Sequence, residues 1–265
     1  MKFNLLTATA LSAVLMVSSC KKDHDHEELK GSGPITFEFE SRAGSAPLAF
    51  GTNYVTANGD TVNFSTFKYY LSNFVLVKSD GTEYVVPQDS CYHLVDHSVE
   101  ASKSLTLNNI PAGEYTGVKY MIGVDSLRNT MDVSKRTGDL DPAGVGADMY
   151  WSWNSGYIFY KIEGTSPQST ETGNIFMFHV GGYGGYSSPM PNNTRTVALT
   201  SVEPAEVGEG HAPEVHIYAD ALEAFKTPTT YSIASGAVVH MPMQGTTFAN
   251  NYADMFILDH VHNDH

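Results

Sequence analysis

The chain has 265 residues and a net charge of −14 at pH 7, with 29 acidic against 15 basic residues. This excess of acid argues against nucleic-acid binding, because phosphate backbones are bound by clustered Lys and Arg. Cations and neutral ligands are favoured instead. About 230 residues follow the N-terminal segments described next, which is enough for one large β domain.

The N-terminus has the order of a bacterial export signal. Lys2 is followed by an uncharged run from Leu5 to Val17 and then by Ser18-Ser19-Cys20. The run is shorter than the roughly 20 residues of a membrane-spanning helix, so residues 1–19 are interpreted as a signal peptide. Val-Ser-Ser-Cys is typical of a lipobox, and we expect a lipid anchor on Cys20. A plain signal peptide is the alternative.

Residues 20–33 are rich in charge and predict a solvated, flexible tether between the anchor and the domain. The anchor predicts a place in the cell envelope, on the outer membrane and facing the periplasm or the surface. If Cys20 carries lipid, Cys91 is the only thiol left, so no internal disulfide can form. Stability must then come from a packed core.

Short apolar segments separated by turn residues occupy residues 34–245. Ile35, Phe37 and Phe39 alternate with polar residues, which predicts a half-buried strand. The turn at residues 79–81 predicts a hairpin between two strand-like segments. Further strand candidates are Leu105 to Leu107, Glu114 to Gly123, Tyr157 to Glu163, Ile175 to Val180, Thr194 to Leu199, Val215 to Tyr218 and Ala234 to His240.

Helical patterns are confined to residues 220–225 and the stretch around Leu127. Many short strands without regular alternation of strand and helix predict an all-β fold, a single antiparallel β-sandwich with short helical turns, over residues 34–245. Residues 246–265 are interpreted as a C-terminal tail, of which residues 259–265 are predicted to be mobile, with His260, His262 and His265 solvated or binding metal loosely.

The two tryptophans of the chain, Trp151 and Trp153, lie close together in residues 148–157. On a strand both would face the same way. A packed aromatic core is one interpretation, because aromatic side chains more often fill a core than form a site. A binding site is the other, and it is favoured by a second cluster, residues 176–182, in which a histidine ends an apolar strand before a glycine-rich loop.

That histidine, His179, is predicted to face away from Phe178 and Val180. This position suits a partly enclosed imidazole that binds a metal, and a hydrogen-bonded structural histidine is the alternative.

Further along, His240 and Met243 offer an imidazole and a soft thioether, a combination suited to Cu(I). Packing at a strand end, with Pro242 as the breaker, is the favoured interpretation of this segment.

Four segments occur in an informative order: Phe67 to Asn73, Gly123 to Ser126, Trp151 to Tyr157 and His179 to Gly182. Together they resemble the MbnP-like family over about Ile35 to Leu222. The resemblance implies a periplasmic or lipid-anchored β protein of a kind common in Bacteroidota. The family is named for a copper-binding protein encoded with methanobactin genes.

The resemblance also implies a copper site in which histidines are joined by a tryptophan that a partner enzyme has oxidised to kynurenine. The implied partner is a di-haem enzyme related to cytochrome c peroxidases. By resemblance, His179 is a copper ligand and Trp151 or Trp153 is the modified residue. The chain departs from the family in having no histidine between Ile35 and Tyr92 and no cysteine in the loop after His179.

The sequence thus predicts an envelope lipoprotein that binds a transition metal, copper first, in metal acquisition or handling. The alternative is a surface lipoprotein that binds a glycan or protein ligand, with Tyr183, Tyr186 and the tryptophans stacking on sugar rings. Exposed coplanar aromatics favour the alternative, and tryptophans buried against His179 favour the metal. No nucleophile elbow, phosphate loop or metalloprotease motif occurs, so the chain is predicted not to be an enzyme.

Overall fold

The computed structural model describes residues 28–151, 156–185 and 188–263. The strands are β1 (Ser32–Ala43), β2 (Ala46–Pro47), β3 (Asn53–Val55), β4 (Thr61–Lys78), β5 (Glu83–Val85), β6 (His93–Asp96), β7 (Ser104–Pro111), β8 (Gly113–Ile122), β9 (Tyr150–Trp151), β10 (Gly156–Thr165), β11 (Ile175–Gly181), β12 (Arg195–Val207), β13 (Glu214–Asp220), β14 (Val238–Val239) and β15 (Phe256–His262).

Helices are short and lie in the connections. The α-helices are α1 (Ser126–Thr130) and α2 (Thr246–Tyr252). Single turns of 3-10 helix are Gln88–Ser90, Glu100–Lys103, Val133–Lys135, Gly138–Leu140, Ala147–Met149, Thr172–Asn174, Ala221–Phe225, Ile233–Ser235 and Pro242–Gln244. None of the helices in the described residues is long and apolar enough to cross a membrane.

Within the described residues the strands form two sheets. The smaller has the order β15-β13-β1-β2, and β7 also pairs with β1, along its first half. The larger has the order β12-β8-β4-β10-β11-β14, with β3, β5 and β6 on β4 and β9 on β10. Most pairs are antiparallel, whereas β1 with β13 and β11 with β14 are parallel. The predicted all-β sandwich is confirmed.

The main core lies between the two sheets. Phe37 and Phe39 on β1 face Phe74 and Tyr120 on the larger sheet, with ring centroids 5.8 Å apart for Phe37 and Phe74 and 6.2 Å apart for Phe39 and Tyr120. The alternation of apolar and polar residues along β1 thus turns one face inward, as predicted. Each fully buried ring of this kind contributes about 1.5–3 kcal/mol relative to an exposed one.

A second apolar layer covers the outer face of the larger sheet. It is built mainly by residues 124–159, and its buried side chains include Tyr70, Leu140, Met149, Trp151 and Tyr157. Glycine at position 123 allows this layer to begin close to the sheet, because a Cβ there would lie 2.8 Å from the ring of Phe159. The layer therefore places Trp151 against β10 and β11.

The prediction of a C-terminal tail after residue 245, mobile from residue 259, is wrong for the residues that the structure describes. Residues 246–252 form α2, and β15 pairs with β13 in antiparallel register. Phe256 holds β15 in place, since its ring packs 5.4 Å from Tyr69 and 5.3 Å from Tyr120. The polar residues of β15 face solvent from the edge of the smaller sheet, which is why the segment looks like a tail in sequence.

Two other boundaries differ from the prediction. Of the strand expected at residues 234–240, only Val238–Val239 is extended, because residues 233–235 turn in a 3-10 helix. β1 begins at Ser32, inside the predicted tether. The predicted helical segment at residues 220–225 is present as a 3-10 helix, in which Asp220 Oδ1 accepts a hydrogen bond from Leu222 N at 2.9 Å. Cys20 lies outside the described residues, and its lipidation stays a prediction.

Candidate functional site

His179 lies on the outward face of β11. Phe178 and Val180 are fully buried between the sheets, whereas 15% of the His179 side chain is exposed. The predicted orientation is confirmed. His179 Nε2 lies 2.6 Å from Glu163 Oε1, so the imidazole is hydrogen-bonded to a carboxylate of the neighbouring strand β10.

Glu163 is held in its ionised form by this contact. Its pKa is lowered to about 2, first by the hydrogen bond with His179 and further by Lys161 and by Thr66, whose hydroxyl donates to Glu163 Oε2 at 2.9 Å. A carboxylate that stays charged fixes the orientation of the imidazole next to it. Glu163 is thus a positioning residue for His179.

A row of charged residues crosses the outer face of the larger sheet and ends at His179. The strand registers place Asp96, Lys68, Lys161 and His179 side by side on β6, β4, β10 and β11. Lys68 Nζ lies 2.7 Å from Asp96 Oδ2 and 2.9 Å from Asp148 Oδ2, and Lys161 Nζ lies 3.4 Å from the same Asp148 oxygen. Asp148, three residues before Trp151, therefore joins this part of the outer layer to the sheet.

Trp151 lies on the same outward face as His179. It is 5% exposed and packs over Gly181, two residues along β11 from His179. A Cβ at Gly181 would lie 2.8 Å from Trp151 Cζ3 and 2.4 Å from the carbonyl oxygen of Tyr157, so the indole approaches the strand only because position 181 is glycine. The structure brings Trp151 to the neighbourhood of His179, and Trp153 lies outside the described residues.

His240 is the next outward-facing position beside His179. The parallel register pairs Phe178 with Val239, the last residue of β14, so His240 follows β14 at the level at which His179 follows Phe178 on β11. Val239 is buried like Phe178, while His240 is exposed. Nothing in the sequence indicates that His179 and His240 lie at the same level, because no sequence pattern shows that β14 pairs with β11.

Met243 follows His240 in the 3-10 helix Pro242–Gln244, and its side chain is 73% exposed. Pro242 itself is buried at the first helical position, as expected for a breaker at a strand end. Asn193 fixes this helix to β11, since its Nδ2 donates to Gly181 O at 2.7 Å and to Pro242 O at 2.9 Å. Asn193 was missed from sequence, where it resembles an ordinary turn residue.

The donors at this edge suit a soft metal ion better than a hard one. His179 has the carboxylate partner that metal-binding histidines typically have, and two imidazoles with a thioether nearby fit Cu(I). Within residues 28–151, 156–185 and 188–263, no three His, Cys, Asp or Glu side chains are grouped to hold an ion.

The segments that carried the resemblance meet in the structure. Ser72 Oγ donates to Gly123 O at 2.7 Å, and Asn73 Nδ2 lies 3.5 Å from Asp125 Oδ2. Asn129 Oδ1 accepts from Tyr157 N at 3.0 Å, which joins the tryptophan segment to the same corner. These contacts explain the order of the motifs structurally, because the residues brace the outer layer against β4 and β8.

Two other groups with reactive side chains have structural contacts. His93 Nε2 lies 2.7 Å from Ser102 O and its Nδ1 lies 3.1 Å from Asp139 Oδ2. Cys91 is buried, and burial raises the pKa of its thiol. A thiol of raised pKa is a poor nucleophile at neutral pH.

Comparison with known proteins gives a consistent result. The family MbnP matches residues 32–241 of the chain. The structure is similar to that of MbnP from Methylosinus trichosporium, with a TM-score of 0.54 and 17% sequence identity over 81% of this chain and 83% of that one. At this identity the likeness concerns the fold. The comparison with curated proteins finds no match.

Proposed function

The chain belongs to the MbnP family, and from that premise we propose that it is a lipid-anchored envelope protein that binds copper through His179 in metal acquisition or handling. The proposal describes a binding protein and not an enzyme. The family supports a metal-handling role, and the donors on the edge formed by β11 and β14 support the choice of copper.

The observation that carries the proposal is the adjacency of His179 and His240. One imidazole on β11, oriented by Glu163, and a second directly after the neighbouring strand β14 are a starting point for a copper site. With His179 Nε2 engaged by Glu163, its Nδ1 is the nitrogen left to bind a metal. Met243 is exposed three residues after His240 and supplies the soft donor that favours Cu(I) over harder ions.

Trp151 belongs to the proposal as the candidate for oxidation. Its packing over Gly181 puts the indole beside the metal-binding edge, whereas Trp153 lies outside the described residues. A di-haem enzyme of the cytochrome c peroxidase type is the proposed partner for this modification. Copper bound here would be held and passed on, and the chain's residues would select it by softness and orientation.

The alternative of glycan binding by stacked aromatics is less well supported. Trp151 is 5% exposed and Tyr183 is 8% exposed, so neither ring offers a free face to a sugar. Tyr186 and Trp153 lie outside the described residues. Burial of the tryptophan beside His179 is the outcome that favours the metal.

Copper affinity of the whole chain, made in its native host and extracted in detergent, tests the proposal. Cu(I) is titrated without oxygen against a colorimetric Cu(I) chelator. We expect His179→Ala and His240→Ala each to weaken binding at least tenfold and Met243→Leu to weaken it several-fold. The matched control is His97→Ala, because His97 packs on Phe50 at a distant point of the chain.

Equal affinity of the wild type, both histidine variants and the control would refute the copper site.

The intact mass of the same samples tests the modification, since oxidation of tryptophan to kynurenine adds mass that Trp151→Phe removes if that residue is the one modified. The anchor is tested by Cys20→Ser, which should release the chain from the membrane fraction.

A further inference from the structure

The predicted tail histidines are placed on an ordered surface by β15. His260 is the cross-strand partner of His216 on β13, and the two imidazole rings stack with centroids 4.3 Å apart and an angle of 9° between their planes. The surface is the outer face of the smaller sheet. It lies on a different sheet from His179 and His240.

Carboxylates surround this histidine pair. His216 Nδ1 lies 3.5 Å from Glu38 Oε2 on β1, and His216 Nε2 lies 4.0 Å from Glu214 Oε2 on its own strand. His260 Nδ1 lies 2.8 Å from Asp259 Oδ2. Imidazole and carboxylate together are the ligands of many sites for divalent transition metals.

The hydrogen bond to Asp259 indicates which ring nitrogen of His260 carries the proton and which can bind a metal. If Nδ1 donates its proton to Asp259, Nε2 keeps its lone pair and is available as a ligand. Asp259 is itself fixed, because Tyr218 donates its hydroxyl proton to the same oxygen. A carboxylate behind the imidazole is the arrangement that orients metal-binding histidines.

From this arrangement we propose a second metal site, in which His216, His260 and Glu214 bind a divalent transition cation of the Zn²⁺ type. Tetrahedral zinc with bonds of about 2.0–2.2 Å holds its nitrogen and oxygen ligands about 3.4 Å apart. The separation of 4.0 Å between His216 Nε2 and Glu214 Oε2 is thus close to what an ion between them requires.

Ion binding at this site requires its side chains to rotate. Across the described part of the chain, no three His, Cys, Asp or Glu side chains are grouped closely enough to hold an ion as they stand. The His260 side chain is 55% exposed and that of His216 is 29% exposed, so the stacked rings turn toward a shared ion without disturbing the core. Because the backbone pairing of β13 and β15 fixes the two Cα positions, only side-chain rotation has to be paid for in binding.

The site is independent of the copper proposal in both position and chemistry. It contains no thioether, so it favours a borderline divalent ion, whereas the edge with Met243 favours Cu(I). The two proposals therefore fail separately.

Zn²⁺ alone is the probe, titrated into the whole chain against a fluorescent zinc indicator. We expect His260→Ala and His216→Ala each to weaken Zn²⁺ binding at least tenfold. His97→Ala is the matched control and should change the affinity less than twofold, because His97 packs on Phe50 and belongs to neither proposed site. Histidines in residues 20–33 are the same in every variant, so any zinc they bind cancels from the comparison.

A second readout guards against variants that fold poorly. Zn²⁺ should raise the thermal unfolding midpoint of the wild type and of His97→Ala, but not that of His260→Ala or the milder His260→Gln, because only an ion bound to the folded state stabilises it. If His216 and His260 variants keep wild-type affinity, or if the wild type takes up no Zn²⁺ at millimolar concentration, the second site does not exist.

Discussion

Replacement of Glu163 by glutamine tests how strongly this carboxylate holds His179. The carboxylate hydrogen-bonds His179 and lies 3.8 Å from Lys161 Nζ, and both contacts depend on its negative charge. Glutamine keeps the size and one acceptor oxygen but removes that charge. We expect Glu163→Gln to lower the free energy of unfolding at neutral pH and to leave the fold intact.

The pKa of Glu163 gives the magnitude. Lowering that pKa from 4.5 to about 2 on folding corresponds to at most about 3–4 kcal/mol, at about 1.4 kcal/mol per pH unit. Solvent screens the pair, since 29% of the Glu163 side chain and 15% of the His179 side chain are exposed. We therefore expect a loss of about 1–2 kcal/mol.

The sign of the pH dependence follows from the lowered pKa. A carboxyl group whose pKa falls on folding contributes stability that is fully present above pH 4.5 and is lost as the pH drops toward about 2. The difference between the wild type and Glu163→Gln should accordingly be constant near neutral pH and shrink steadily below pH 4.5.

Urea unfolding of both proteins between pH 7 and pH 3, followed by circular dichroism, measures this difference. Glu203→Gln is the matched control, because it removes the same charge from an exposed position on β12, away from His179. If Glu163→Gln and Glu203→Gln unfold at the same urea concentration at every pH, the charged contact with His179 contributes nothing to stability.

Two further outcomes are expected. Gly181→Ala should destabilise the fold by about 2–3 kcal/mol in urea unfolding, because the added Cβ meets a backbone oxygen and the Trp151 ring. Gly208→Ala is the control and should destabilise the fold by less than half as much, because the atom nearest to its added Cβ is 3.4 Å away. Truncation after residue 255 should abolish cooperative unfolding, since it removes Phe256 from the core. Truncation after residue 263 is the control and should leave the stability unchanged. Unfolding that stays cooperative without β15 would mean that residues 256–262 do behave as a tail.

Much of the fold was predictable from sequence because local patterns are sufficient where one strand face is buried. The alternation in Ile35, Phe37 and Phe39 and the turn at residues 79–81 predicted β1 and the β4–β5 hairpin correctly. The same reasoning failed for residues 256–262. Their inward residues are few, and the polar ones between them suggest a solvated segment when no partner strand is known.

The candidate site divides in the same way. The sequence by itself predicted the outward orientation of His179, because this depends on the two-residue period of one strand, whereas its association with Trp151 came from the resemblance to the MbnP-like family. Only the tertiary structure decided that Glu163 orients His179, that His240 lies beside it and that His216 meets His260. The physical reason is that strand pairing joins residues far apart in the chain, and their register is set by the packing of the whole sheet and not by the local sequence.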